Sequence, residues 1–186
     1  MSAMIIPRLD ISNTALLVVD MQEKLLPHMH NADQLVAQAG KLIDAANALN
    51  IPIVVTEQYR KGLGVTVPYL ATRLDKAVAN HEKLKFSGCI EPVHADLQRF
   101  GSRAVIVCGI EAHVCVLQTC LDLAEGGYIV AMATDAIGSR RAFDQQIAEQ
   151  RLAQAGIIPI TVESAALELV GEAGTARFKA VLPIIK

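Results

Sequence analysis

The sequence predicts a three-layer α/β fold, with about six mainly parallel strands and helices on both faces of the sheet. Three observations carry this expectation. Apolar runs rich in Val, Ile and Leu alternate with longer amphipathic stretches from one end of the chain to the other. Repeated strand–helix alternation implies right-handed crossovers, and these build a parallel sheet covered on both sides. Hydrophobic residues make up 52% of the chain and charged residues only 19%, a balance that suits strands buried on both faces. A length of 186 residues accommodates one domain with a substantial core, whereas two full domains would each be small. No linker or shift of composition divides the chain, so residues 1–186 read as a single domain.

Each element follows from its local pattern. "TALLVVD" (14–20) is a continuous apolar run ending in an acid, as a buried strand does. Over 31–49, Leu35, Ala39, Leu42, Ile43, Ala46 and Leu49 recur at spacings of three and four, which makes a helix. "IPIVVTE" (51–57) is the second strand. "YRKGLGVTVPYL" (59–70), with two glycines and a proline, reads as a loop with a short helix after it. A third strand is expected around 77–82, followed by a helix in "EPVHADLQRFG", which has Pro near its first turn and Gly beyond its end. "RAVIVCG" is strand four, 113–125 a helix closed by Gly126 and Gly127, and "YIVAMATDA" strand five. Residues 142–155 form a further helix, "GIIPITVES" strand six, and 164–181 one or two closing helices.

Composition also narrows the classes of function. A formal net charge of −2 with dispersed signs offers no electrostatic case for nucleic acid or an anionic membrane. No stretch approaches the roughly 20 apolar residues of a membrane span. "MSAMIIPRLDIS" lacks the basic region, apolar core and cleavage site of a secretory signal. Cys89, Cys108, Cys115 and Cys120 form no CxxC pair and no disulfide framework, so a reduced, cytoplasmic setting is expected.

Parallel sheets of this kind collect their chemistry at the carboxyl ends of strands, where strand order reverses. Asp20, Lys83 and the loop after Gly109 all fall just past a predicted strand end. Three distant segments thus bring an acid, an ammonium and, in Cys115, a thiol to one edge. A thiol attacks carbonyls as the thiolate, and a position near a helix start is expected to lower its pKa and to offer N–H groups to an oxyanion. Each residue also has a plainer reading. Asp20 could be a helix cap, Lys85 shares a face with Lys83, and Cys115 could be core filler, as Cys108 and Cys120 are read to be. Cys89, after "KFSG", could line a pocket or be inert.

"ALLVVDMQ", "EKLKFSGC", "GIEAHVCVLQTCLDL" and "TDAIGSR" occur in the order of four signature blocks of the isochorismatase-like hydrolases, the cysteine hydrolase superfamily, and the chain resembles that family along nearly its whole length. "VVTEQYRKGLGVTVPYL" resembles the small isochorismatase-domain proteins of undefined substrate. The resemblance implies a Rossmann-like fold and a triad of Asp20, Lys83 and Cys115. It implies a cis peptide at Ile110–Glu111, turning the Glu111 N–H, with that of Cys115, toward a substrate oxygen. The metal-binding branch of the family carries an Asp-x-His segment after strand two. Here that place reads "TEQYRKGLG" without histidine, so neither a catalytic metal nor another cofactor is expected. His113, two residues before Cys115, would not face it on a helix. A cysteine nucleophile points to acyl transfer on a small molecule, most simply hydrolysis of an amide C–N bond through a thioester. Gln22 is read as a support for the Asp20 carboxylate or ordinary surface. Glu57, Gln58, Tyr59 and Phe86 are read as pocket walls, and Asp135 as a partner for loop N–H groups. Two other classes stay open: a silent scaffold on the same fold, and a redox sensor with Cys89 as resolving thiol. The apolar composition and the family habit suggest a homo-oligomer, with "RFKAVLPIIK" docking on a neighbour or packing on its own sheet.

Overall fold

The computed structural model describes residues 7–77 and 79–186. Val78, within the third predicted strand, and residues 1–6, part of the segment read for a secretory signal, lie outside them. Six strands, β1 (Thr14–Val19), β2 (Ile53–Gln58), β3 (Ala79–Lys83), β4 (Ala104–Ile110), β5 (Ile129–Gly138) and β6 (Ile158–Ile160), form one sheet in the order β3-β2-β1-β4-β5-β6. Every neighbouring pair is parallel. The order runs one way from β1 to β3 and the other from β4 to β6, so the switch point lies between the carboxyl ends of β1 and β4.

Because side chains alternate along a strand, the central strands supply two cores. Leu16, Val18, Ile53, Val55, Ile106 and Cys108 face α1 (Ala32–Ala48), α7 (Val162–Val170) and α8 (Ala176–Ile185). Leu17, Val19, Val54, Val105 and Val107 face α4 (Glu91–Arg99), α5 (Leu117–Glu125) and α6 (Ala142–Gln154). Cys108 and Cys120 are fully buried in these two layers. Among the described residues no helix is long and apolar enough to cross a membrane.

Three segments depart from the sequence reading. The 59–70 loop contains two single turns of helix, α2 (Arg60–Leu63) and α3 (Pro68–Ala71). Strand six is only three residues long. Thr161, a good strand former, caps α7 in a reciprocal capping box with Ser164, and two satisfied N–H groups outweigh its β preference. The C-terminal "RFKAVLPIIK" lies in α8, where Val181 and Ile185 are buried against the chain's own core. That apolar face packs on the chain's own core, the second of the two readings of this segment.

Candidate active site

At the switch point two backbone features fit β1 closely against β4. Gly109 pairs with Val19 at a φ of 128°, and a Cβ there would stand 2.0 Å from the Val19 carbonyl oxygen. Only glycine fits a position so strained and so close. Beyond it the Ile110–Glu111 peptide is cis, and a π-type turn, Ala112–Val116, carries Cys115 into α5. Asp20 follows β1 with a φ of 53°, a left-handed conformation that Asp tolerates better than most residues. Its N–H donates to the Thr56 carbonyl at 3.0 Å.

Lys83, the last residue of edge strand β3, completes the cluster. Its side chain is fully buried, and Nζ lies 2.6 Å from Asp20 Oδ2. The ammonium donates to Gln58 Oε1 at 2.7 Å and to the carbonyls of Phe86 at 2.9 Å and Lys85 at 3.2 Å. Lys85 itself is exposed, so burial separates two lysines that periodicity could not. Thr56 Oγ1 donates to Asp20 Oδ1 at 2.9 Å. Oδ2 touches Nζ, yet it has no hydrogen-bond partner of good geometry among the described residues. The Cys115 thiol is within hydrogen-bonding reach of this carboxylate.

Electrostatics corrects one expectation. Burial pushes the Cys115 thiol up to about 12, and the Asp20 charge adds to it. Lys83 and a backbone hydrogen bond from Glu111 act the other way without prevailing. The expected helix-start depression fails because Cys115 is buried beside a carboxylate, and α5 begins only at Leu117. Burial likewise raises Asp20 above the usual carboxylate range, against Lys83, Cys115 and Thr56, which lower it. The site at rest holds a thiol beside an acid whose affinity for a proton is increased.

The sequence reading missed two threonines. Thr56 is the β2 residue that reaches Asp20. Thr119 Oγ1 donates to the Cys115 carbonyl at 2.6 Å and accepts the Gly88 N–H at 2.6 Å, joining the cysteine turn to the loop after Lys83. Its place four residues after Cys115 was an available signal, because Thr in a helix can bond back one turn.

Gln22 is fully buried and holds loops, not the Asp20 carboxylate. Its amide nitrogen donates to the carbonyls of Gln58 at 2.9 Å and Gly64 at 2.7 Å, and its oxygen accepts the Gln58 N–H at 2.7 Å. Glu57 lies one residue out of phase with Thr56 and lines a cavity of about 630 Å³ with Val55 and Arg60. It is not a wall of the cysteine site. Burial would raise its carboxyl, but hydrogen bonds from Thr66 and the charge of Arg60 hold it low. Gln58 positions Lys83, as above. Tyr59 and Phe86 are exposed at 47% and 56%, beside the Lys83 end of the site. His113 turns to Ser139 Oγ at 2.9 Å. Asp135 Oδ1 accepts the Val162 N–H at 2.9 Å and so caps α7. Among the described residues no group of three or more His, Cys, Asp or Glu is placed to hold a metal.

The sheet order and the polar cluster at its switch point define a parallel α/β protein with a candidate site between the carboxyl ends of β1 and β4. The isochorismatase domain matches residues 14–164, and the chain belongs to the isochorismatase family. Isochorismatase domain-containing protein 2 of Danio rerio is 39% identical over 181 residues, which cover 97% of this chain and 90% of that protein. The solved MAR1 ribonuclease of Caenorhabditis elegans superposes with a TM-score of 0.92 at 43% identity, covering 96% of this chain and 92% of that one. The YcaC gene product of Escherichia coli, described as an octameric hydrolase of unknown specificity, has a TM-score of 0.88 at 25% identity, covering 96% and 89%.

Proposed function

We propose that the protein is a cysteine-dependent hydrolase that cleaves a C–N bond in a small amide, with Asp20, Lys83 and Cys115 as its catalytic residues. The observation that carries this reading is the fully buried Asp20 carboxylate, 2.6 Å from Lys83 Nζ and within hydrogen-bonding reach of the buried Cys115 thiol. An acid with raised proton affinity beside a protonated thiol suits general-base attack better than a resting thiolate.

Asp20 takes the Cys115 proton as sulfur forms its bond to the amide carbon, and the carbonyl π electrons move to oxygen. The Glu111 and Cys115 N–H groups receive that oxyanion, and Lys83 balances the negative charge around Asp20. The intermediate collapses as the C–N bond breaks and Asp20 protonates the departing nitrogen. Water then gives a proton to Asp20 and adds its oxygen to the thioester. Breaking the C–S bond releases the acid and returns the proton to sulfur.

The C. elegans neighbour's name raises a different substrate. A formal net charge of −2 gives this chain little with which to track a phosphate backbone, so the small amide stands ahead of RNA. A cytoplasmic setting and one continuous domain belong to the same proposal. So does self-association, supported by the octameric relative and by exposed Phe143 and Ile147 on α6. A screen of small amides, related carbonyl compounds and RNA, run beside Cys115→Ala, tests the reading. Turnover of an amide by the wild type and none by the variant is expected. RNA cleavage that survives Cys115→Ala would replace it.

A further inference from the structure

Arg140, which the scheme above does not use, grips the residue whose N–H faces the sulfur. Its Nε donates to Glu111 Oε1 at 2.7 Å and its Nη2 to Oε2 at 3.3 Å, the two-pronged arrangement that a planar guanidinium makes with a carboxylate. The Glu111 carboxylate is mostly covered, while Arg140 is 60% exposed. Glu111 opens the cysteine turn, and its carbonyl accepts the N–H groups of Val114 and Val116. Arg140 follows β5, the strand beside β4, so the fork ties two adjacent strand ends. A second tie runs parallel to it. His113 meets the buried Ser139 side chain at 2.9 Å, and the Ser139 carbonyl accepts from the His30 N–H at 3.1 Å. The exposure of Arg140 limits what the pair adds to stability, while its two-pronged geometry fixes the orientation of Glu111.

We propose that Arg140 is a positioning residue: its bidentate hold on the Glu111 carboxylate keeps the Glu111 N–H directed at the Cys115 sulfur and at the oxyanion that forms beside it. The role rests on the assignment of Cys115 as nucleophile. Arg140 acts through the shape of its fork, which a lysine, carrying the same charge as a single point, does not reproduce.

The test uses the full chain and iodoacetamide at about pH 8.5, where some thiolate is present. Alkylation of Cys115 is timed by peptide mass spectrometry, with Cys89 as internal reference. Hydrogen exchange of segment 109–117 is followed in parallel and reads the turn directly where alkylation is too slow to time. Arg140→Gln and Glu111→Gln should each slow Cys115 alkylation by about three- to tenfold and speed exchange of the segment, with Tm and Cys89 unchanged. Arg140→Lys should resemble Arg140→Gln, and the double variant should be no worse than either single one. Arg73→Gln, which breaks the remote pair with Asp44, should change neither reading. Recovery of wild-type behaviour in Arg140→Lys, or additive losses in the double variant, would overturn the proposal. These ratios need only the thiol and the turn. A Cys115 that never carries an acyl group would instead refute the nucleophile assignment, and the two failures are distinguishable.

Discussion

Gly109→Ala should damage both the fold and the site, by an amount the geometry sets. The new Cβ would lie 2.0 Å from the Val19 oxygen and 2.7 Å from its carbonyl carbon. Ordinary contact begins near 3.4 Å, so one strand end must retreat by more than an ångström. Both neighbours are backbone in the middle of the sheet, and no flexible side chain can give way. Overpacking of this kind costs about 1–3 kcal/mol. A positive φ of 128° adds about 1–2 kcal/mol for a residue with a Cβ. The expected loss is therefore about 2–5 kcal/mol, a large part of the roughly 5–15 kcal/mol that holds a typical domain folded. Urea denaturation followed by circular dichroism measures it. Because the retreat separates Asp20 from the cysteine turn, turnover should fall by about a hundredfold even where the variant is folded. A variant within about 1 kcal/mol of wild type, with turnover unchanged, would refute the claim that close contact between β1 and β4 builds the site.

Other expectations follow from the buried charges and thiols. Lys83→Met should cost about 3–5 kcal/mol at neutral pH because it leaves Asp20 buried without its cation. In that variant burial raises the Asp20 carboxyl unopposed by the ammonium, so the contribution of Asp20 is fully present below the unfolded value of 3.8 and is lost as pH rises. Urea melts at pH 5 and pH 7.5 should therefore show the smaller deficit at pH 5. The Cys115 thiol, pushed up to about 12, should alkylate faster with rising pH and show no plateau below pH 9; a plateau near neutrality would mean a resting thiolate. Cys108, Cys115 and Cys120 all lie near 12 when folded against 9.0 otherwise. Their contribution is present below pH 9 and lost above it, at about 1.4 kcal/mol per pH unit for each thiol. Cys115→Ala should shallow that alkaline decline in guanidinium melts. Thr119→Val removes the link between the cysteine turn and Gly88, and should lower kcat more than it raises KM.

Much of this architecture is legible in the chain, because parallel strands announce themselves as continuous apolar runs and their carboxyl ends fall where those runs stop. That logic locates Asp20, Lys83 and the cysteine turn at one edge of the sheet. It does not foresee contacts that depend on which way a side chain points. Glu57 and Thr56 differ by one residue along β2, and alternation sends one to the cysteine site and the other to a separate cavity. Gln22 reads as a neighbour of Asp20, yet it bonds to the backbone of Gln58 and Gly64, contacts that require the path of a distant loop. Thr161 combines β preference with capping chemistry, and only its partnership with Ser164 decides between them. For Cys115, nearness to a helix start suggested a depressed thiol, whereas its burial and its carboxylate neighbour come from other strands and reverse the sign. Arg140 lies within a recognised sequence block, but its grip on Glu111 spans 29 residues.

The most direct measurement is the covalent state of Cys115 during turnover of an amide found in the screen. Acid-quenched wild-type protein should carry the substrate's acyl group on Cys115, read by peptide mass spectrometry, and Asp20→Asn should accumulate little of it. Cys115→Ala should bind the amide and release no amine. An acyl group on another residue, or full turnover in Cys115→Ala, would contradict the assignment of Cys115 as nucleophile.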